Sequence, residues 1–320
     1  MIEKLIGNTP MVKIKYRYQN NENYVYAKLE YYNYTGSIKD RIAYYILKKA
    51  KEQGVLKDGE PIVEATSGNT GISFAAIGAY LGHPVHIFMP DWASVERIKI
   101  MELYGAKVYL VSKEDGGFKE AIRRSEEFAS RIHGFLPKQF ENQLNIEAHY
   151  LTTAKEIINR LPEVDTFVSG IGTGGTLIGM AKRLKEYDKN IRIVALEPDK
   201  MPLLSGGKII GNHKIEGIGD DFIPELVDSS FIDQVILIQD EDAINMSRLL
   251  AKKLGLGVGI SSGANFLASV LSGGKCVATV FADDFKKYLT TDLTKEIDSN
   301  SEFLSNQIEL LGIEVLEKNR

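Results

Sequence analysis

The chain has 320 residues, enough for two domains that each bury a core, which excludes a peptide-sized or stapled scaffold. Hydrophobic residues make up 44%, charged residues 26% and proline 9 positions, the profile of a folded globular protein rather than a disordered or fibrous one. Lys plus Arg number 39 against 43 Asp plus Glu, and the formal charge of −4 with no basic cluster argues against nucleic acid as the main ligand.

The segment Met1 to Gly7 carries an acid early and has no uninterrupted apolar stretch after it, so no secretory signal is expected. No run reaches the roughly 18 apolar residues of a membrane span, so the expectation is a cytoplasmic protein without a membrane partner. Tyr24 to Leu29 reads as a strand, followed by a helix from about Ile38, a strand from Pro61 to Ala65, a helix from Gly71 and a strand from Val85 to Met89. Ser94 to Tyr104 then reads as a helix, Lys107 to Val111 as a strand and Phe118 to Ile132 as an amphipathic helix. The stretch Gln139 to Asn145 turns polar and marks a domain crossing, after which Glu147 to Asn159, Thr166 to Ser169, Leu177 to Glu186 and Ile191 to Leu196 continue the alternation. The apolar run from Cys276 to Phe281 reads as a buried strand, with Cys276 a small core residue rather than a catalytic thiol. From about Thr294 the chain becomes acidic and polar before a helical run from Asn306 to Leu311. The alternation predicts an α/β fold with mostly parallel strands.

Three turns could carry chemistry. In Thr35-Gly36-Ser37-Ile38-Lys39-Asp40-Arg41, Ser37 and Asp40 have the spacing of a capping box and place Lys39 in the first helical turn, where the dipole lowers an amine's pKa. A lysine acting as a neutral nucleophile benefits from that placement. The second turn, Thr66-Ser67-Gly68-Asn69-Thr70-Gly71, joins a strand to a helix and suits an anion, with hydroxyls and free N–H groups pointing at it. The third, Gly170-Ile171-Gly172-Thr173-Gly174-Gly175-Thr176, admits two readings. Gly170, Gly172 and Gly175 match a dinucleotide fingerprint with Glu197 as a ribose-binding acid, so a nicotinamide dehydrogenase is a rival. That rival leaves Lys39 and the Thr66 turn unexplained, whereas a phosphorylated cofactor that forms an imine with a lysine uses all three turns.

Together with Asn8-Thr9-Pro10, Gln139-Phe140-Glu141-Asn142, Glu216-Gly217-Ile218-Gly219 and Gly259-Ile260-Ser261-Ser262-Gly263, these turns resemble the cysteine synthase and cystathionine β-synthase family, in order and up to about Leu293. The resemblance implies the two-domain fold of such pyridoxal 5′-phosphate enzymes: a larger cofactor domain of residues 1–37 and 145–320, and a smaller, mobile domain of residues 38–144 that closes over substrate. It implies that Lys39 forms the imine with pyridoxal phosphate and moves the substrate α-proton, and that Asn69 binds the phenolic oxygen. Gly172, Thr173, Gly174, Gly175 and Thr176 would cup the phosphate, and Ser261 or its neighbour Ser262 would face the pyridine nitrogen. Thr66, Ser67, Gly68, Thr70, Gln139 and Gly217 would contact a small amino-acid substrate. The implied reaction is β-replacement through an aminoacrylate, with cysteine synthesis from O-acetylserine and sulfide first, and cystathionine synthesis among the alternatives. A homodimer is implied, and serine acetyltransferase is a partner of some relatives. A relative that binds cofactor without turnover is disfavoured by the intact Lys39, Asn69 and Gly172 to Thr176.

Departures from the family pattern bear on the substrate. After Gly217-Ile218-Gly219 stand Asp220 and Asp221, where sulfide-using relatives carry small residues. A carboxylate there disfavours hydrosulfide and can activate water, so Asp220 or Asp221 would let the enzyme release sulfide from cysteine and form serine, unless both simply face solvent. Tyr34 and Ala282-Asp283-Asp284 also depart from the pattern and read as local changes. His83 and His86 read as turn and strand residues rather than metal ligands, Trp92 as an anchor, and Tyr31, Tyr32, Tyr44 and Tyr45 as packing around the first helix.

Overall fold

The computed structural model describes residues 2–296 and 302–317. Among the described residues the strands are β1 (Met11–Tyr18), β2 (Asn21–Leu29), β3 (Ile62–Ala65), β4 (Val85–Pro90), β5 (Lys107–Val111), β6 (Thr166–Gly170), β7 (Arg192–Pro198), β8 (Gln234–Ile238), β9 (Val277–Phe281) and β10 (Glu309–Val315). They form a seven-stranded sheet, in the order β10-β1-β2-β9-β6-β7-β8, and a three-stranded sheet, β3-β4-β5. Pairing is parallel throughout except where β1 meets β2 and β10.

Parallel strands are covered by helices on both faces, so they read as unbroken apolar runs. Every residue of β3, β4 and β9 is buried. Cys276, just before β9, is buried too, and burial pushes its thiol up to about 12, consistent with a core role. The antiparallel β1 behaves differently, with Val12, Ile14 and Tyr16 buried and Lys13, Lys15 and Arg17 half-exposed between them.

The C-terminal run differs from the sequence expectation. Instead of a helix from Asn306 to Leu311 there is a four-residue helix, Leu304–Gln307, and then β10, which pairs Ile313 with Ile14 and Val315 with Val12. The edge of β1 offers unpaired backbone groups, and satisfying them outweighs the local helical pattern. Residues 297–301 of the acidic stretch lie outside the described residues. The helix expected over Glu147 to Asn159 is broken into Gln143–Ala148, a π-helical turn His149–Thr153 and Ala154–Arg160.

Around the small sheet, Ile42, Ile46 and Leu47 of helix Lys39–Glu52 pack with Ile72, Phe74 and Ile77 of helix Asn69–Leu81 and with Ile62 and Ile87. The large sheet is covered on its two faces by separate clusters, one centred on Leu196, Ile244 and Phe266, the other on Phe167, Met180 and Ile193. The segments that follow the C-terminal ends of β3, β6 and β9 converge on one cavity, the usual place for a ligand in an open α/β sheet.

Candidate functional site

Lys39, Thr66, Ser67, Gly68, Asn69, Thr70, Gln139, Gly172, Thr173, Gly174, Thr176, Gly217, Asp220 and Ser261 all line this cavity, although they come from segments up to 222 residues apart. Lys39 is the first residue of its helix, and its backbone N–H donates to Ser37 Oγ at 3.2 Å. The expected capping box does not close. Asp40 is buried against the neighbouring helix start, where its carboxylate accepts from the Thr35 N–H (2.7 Å), the Thr35 hydroxyl (2.5 Å) and the Ser73 hydroxyl (2.6 Å). Asp40 therefore ties two helix N-termini together rather than returning to Ser37. Burial pulls the Lys39 ammonium pKa down, against the opposing pull of Asp220 and Asp283.

The Thr66 turn is braced from Gln139. The Thr70 hydroxyl donates to Gln139 Oε1 at 2.7 Å, Gln139 Nε2 donates to the Ala65 carbonyl at 2.8 Å, and Thr66 Oγ1 accepts from the Gly68 N–H at 3.1 Å. A Cβ on Gly68 would lie 2.4 Å from Arg97 Cδ, so any side chain there would push Arg97 aside. The turn that precedes helix Gly175–Tyr187 is equally tight. A Cβ on Gly172 would lie 2.5 Å from the Gly217 carbonyl oxygen, and one on Gly175 would lie 1.9 Å from Asn145 Oδ1. Gly175 itself does not line the cavity: it is buried behind the turn. Asn145 Nδ2 donates to Thr173 Oγ1 (2.9 Å), and His149 Nε2 lies 3.2 Å from Thr176 Oγ1, so both hydroxyls are held from behind. Burial, with the charges of Arg41 and Lys39, keeps His149 neutral.

The structure separates two adjacent pairs that the sequence left open. Ser261 lines the cavity, whereas Ser262 is fully buried, its Oγ without a hydrogen-bond partner among the described residues. Asp220 lines the cavity, and desolvation, reinforced by Asp221 and opposed by Lys39, pushes its carboxyl up to about 7. Asp221 is not in this cavity: it is exposed in the adjoining depression and pairs with Lys119 at 3.0 Å. The expectation that either acid could act at the site narrows to Asp220, because Asp221 is turned outward to a partner of its own.

Glu197, the ribose acid of the dehydrogenase reading, is buried and engaged: its carboxylate accepts from the N–H groups of Leu204 (2.6 Å) and Ser205 (3.1 Å) and from the Ser205 hydroxyl (2.9 Å). His83 Nδ1 lies 2.9 Å from the Glu60 carbonyl and His86 Nδ1 lies 3.1 Å from the Tyr109 hydroxyl. Trp92 is exposed beside Gly117. The sequence reading gives no role to Arg97, Glu216, Tyr288 or Asp283. Arg97 pairs with Glu216 and lies over the Tyr288 ring at 4.5 Å. Tyr288 in turn donates to Asp283 at 2.7 Å.

These residues fit pyridoxal phosphate. A helix N-terminus with two braced threonine hydroxyls and a closely packed glycine backbone suits a phosphate group. Facing it are a desolvated lysine, an asparagine whose amide nitrogen gives one N–H to Asp283 and has a second to offer, and a neutral serine hydroxyl. A phosphate, an aldehyde and a ring nitrogen each find a matching group.

Residues 2–283 match the family model described as pyridoxal-phosphate dependent enzyme. A cysteine synthase of Staphylococcus aureus is 42% identical over 299 residues, covering 91% of this chain and 96% of that protein. Among solved structures, a hydrogen sulfide-producing enzyme from Fusobacterium nucleatum superposes with a TM-score of 0.94 at 49% identity, covering 98% of this chain and 97% of its own. A cysteine synthase from Entamoeba histolytica gives a TM-score of 0.86 at 37% identity, covering 95% and 93%.

Proposed function

The chain belongs to the pyridoxal-phosphate dependent enzymes, and from that premise we propose that it releases sulfide from L-cysteine by β-replacement with water, forming L-serine. β-Replacement on a small amino acid is supported by the cysteine synthase relatives and the hydrogen sulfide-producing neighbour. The observation that carries the choice of water is Asp220: a carboxyl on the wall of the cavity, in electrostatic contact with Lys39, with a pKa pushed up to about 7. A base poised near neutral pH is suited to taking a proton from water, and the same carboxylate repels an incoming hydrosulfide anion. The likeness to a hydrogen sulfide-producing enzyme supports the same reading.

Bound pyridoxal phosphate supplies an electron sink at the substrate Cα. Lys39, Asn69, Gly172, Thr173, Gly174, Thr176 and Ser261 would hold it, with Gly175 packed behind the turn. Thr66, Ser67, Gly68, Thr70, Gln139 and Gly217 would orient the amino acid, neutral donors meeting its carboxylate. The Lys39 amine, freed more readily of its proton by burial, takes the α-proton and returns it. The Cβ–S bond breaks and hydrosulfide leaves. As the oxygen of water bonds to Cβ, Asp220 takes a proton, which leaves finally with hydrosulfide as hydrogen sulfide, so cysteine and water give serine and sulfide.

Residues 38–144 would form the smaller unit that closes over substrate, with the Gln139 to Asn145 stretch as one crossing. A cytoplasmic homodimer follows from the family resemblance alone, and sedimentation of the purified chain checks the dimer. Serine acetyltransferase is a candidate partner that co-purification would reveal.

A second reading is supported by the relatives named cysteine synthase: the chain would make cysteine from O-acetylserine and sulfide. Parallel assays decide. Cysteine alone should yield equal amounts of sulfide and serine, faster than O-acetylserine plus sulfide yields cysteine. The opposite order, together with an unaltered rate in Asp220→Asn, establishes cysteine synthesis instead.

A further inference from the structure

Asp283 lies two residues past the end of β9, fully buried and just behind the cavity wall. Its Oδ2 accepts from Asn69 Nδ2 and from the Tyr288 hydroxyl, each at 2.7 Å, while Oδ1 has no hydrogen-bond partner among the described residues. Its backbone serves the same place. The carbonyl accepts from the Gly259 N–H at 3.1 Å, and the residue makes an isolated antiparallel bridge with Ser37. A Cβ on Gly259 would lie 2.1 Å from Asp283 Oδ1, so any side chain there would displace the carboxylate. Three segments of the site thus meet at this one residue: the approach to Lys39 and the approach to Ser261 at its backbone, and the start of helix Asn69–Leu81 at its carboxylate.

The two ends of a carboxamide are almost identical in shape, so its hydrogen-bond partner decides which end faces which way. A carboxylate only accepts, so Asn69 must turn its nitrogen toward Asp283. That nitrogen carries two N–H groups. One is given to Asp283, and the other makes no hydrogen bond among the described residues, while Asn69 itself lines the cavity. We propose that Asp283 is a positioning residue that fixes the Asn69 amide nitrogen-forward, so that its second N–H is offered to the phenolic oxygen of the cofactor. The inference rests on the proposed reading of the cavity as a pyridoxal phosphate cradle held by Lys39 and Asn69.

The consequence is electronic. An N–H donor favours the anionic form of that oxygen, and with it the tautomer that absorbs at longer, visible wavelength. A carbonyl oxygen in its place favours the neutral hydroxyl and the near-ultraviolet band. Asp283→Asn keeps the shape but presents both a donor and an acceptor, so Asn69 can then settle either way round.

The test is the absorption spectrum of the pyridoxal phosphate-loaded enzyme, wild type against Asp283→Asn, titrated through neutral pH. The ratio of the visible to the near-ultraviolet band should fall by about threefold or more in the variant, the scale of one hydrogen bond, and should do so where the ratio no longer depends on pH. An unchanged ratio, or a shift only in the pH midpoint, overturns the proposal, since the latter is the signature of lost charge rather than lost orientation. Wild-type protein gives a second measurement that needs no variant: in the cofactor-free chain the Asn69 side-chain proton given to Asp283 should exchange more slowly than the other proton on the same nitrogen, and equally rapid exchange of both overturns the Asp283 bond. Lys39→Ala keeps the underlying reading distinguishable. If wild type gains no visible band with pyridoxal phosphate, or Lys39→Ala keeps it, the cradle itself is wrong and the proposal falls with it, whatever the exchange result.

Discussion

Arg97 reaches from helix Val95–Leu103, between β4 and β5 of the small sheet, to Glu216 in the loop that leads to Asp220. Its guanidinium also covers the Tyr288 ring at 4.5 Å and crowds Gly68 in the Thr66 turn. One buried side chain therefore touches three walls of the cavity, and only a planar cation can both stack and pair there. Arg97→Met should raise KM for cysteine by about tenfold with a smaller change in kcat, because it loosens the walls without removing a reacting group. Arg97→Lys should not restore KM. Steady-state kinetics on both variants check this, and full rescue by lysine would show that charge alone matters.

Asp220 sets the expected pH dependence. Its carboxyl works as a base only when ionised, so with a pKa pushed up to about 7 the rate of sulfide release should climb through neutral pH and level off above it. Asp220→Asn should remove that limb and cost about 10²- to 10⁴-fold in rate. Asp221→Asn should keep the limb and move it to lower pH, since the charge of Asp221 is one of the causes that raises its neighbour. A kcat/KM profile with the same limb in Asp220→Asn would assign it to another group.

What the sequence discloses of the site, and what it hides, follows from the range of the interactions. The Thr66 and Gly172 turns are legible because a backbone that must approach an anion needs glycines and hydroxyls close together in the chain. Lys39 is legible because its place at a helix start is local. The choice between Asp220 and Asp221 is not, since it depends on Lys119, about a hundred residues away in the chain, drawing Asp221 outward. Asp283 reads as no more than a local change because its partner Asn69 is 214 residues distant. The alternation Val12-Lys13-Ile14-Lys15-Tyr16-Arg17 is a strand signal that the sequence reading does not use, whereas β10 is recognisable only once the free edge of β1 is known.

Gly172 gives a prediction on cofactor retention. A methyl group there would lie 2.5 Å from the Gly217 carbonyl, a backbone atom that cannot rotate aside, so Gly172→Ala must shift one wall of the cup. Pyridoxal phosphate affinity should fall by at least about tenfold, the worth of one or two charge-assisted hydrogen bonds to phosphate. Titration of the apo-protein with cofactor, read by absorbance, measures it. Unaltered affinity would place the phosphate elsewhere.

Ser262 and Ser261 should respond in opposite ways. The Ser262 hydroxyl is buried without a hydrogen-bond partner among the described residues, so Ser262→Ala removes a desolvated polar group and should leave the melting temperature unchanged or slightly higher. Ser261→Ala alters the group that would face the pyridine nitrogen and should change the cofactor spectrum with little effect on unfolding of the apo-protein. A spectral change in Ser262→Ala alone would reverse the assignment.

Glu64 links the site to stability. It is buried in β3, where its Oε1 accepts from the Ala65 N–H at 2.9 Å and its Oε2 from the Gln139 N–H at 3.3 Å. Burial nevertheless outweighs these bonds and pushes the carboxyl from its ordinary value of 4.5 up to about 8. The native state therefore holds a proton that the unfolded chain has lost, and stability falls as pH rises from the unfolded value toward the folded one, by up to about 1.4 kcal/mol per pH unit. Glu64→Gln removes this slope. Relative to wild type, its melting temperature should be higher at about pH 8 than at about pH 5, the sign set by a carboxyl whose native pKa is raised. Because the Gln139 N–H donates to Glu64, ionisation at high pH also bears on the residue that braces the Thr66 turn. Thermal unfolding of both proteins at the two pH values checks the link, and an equal difference at both would mean that Glu64 is ionised in the native state throughout.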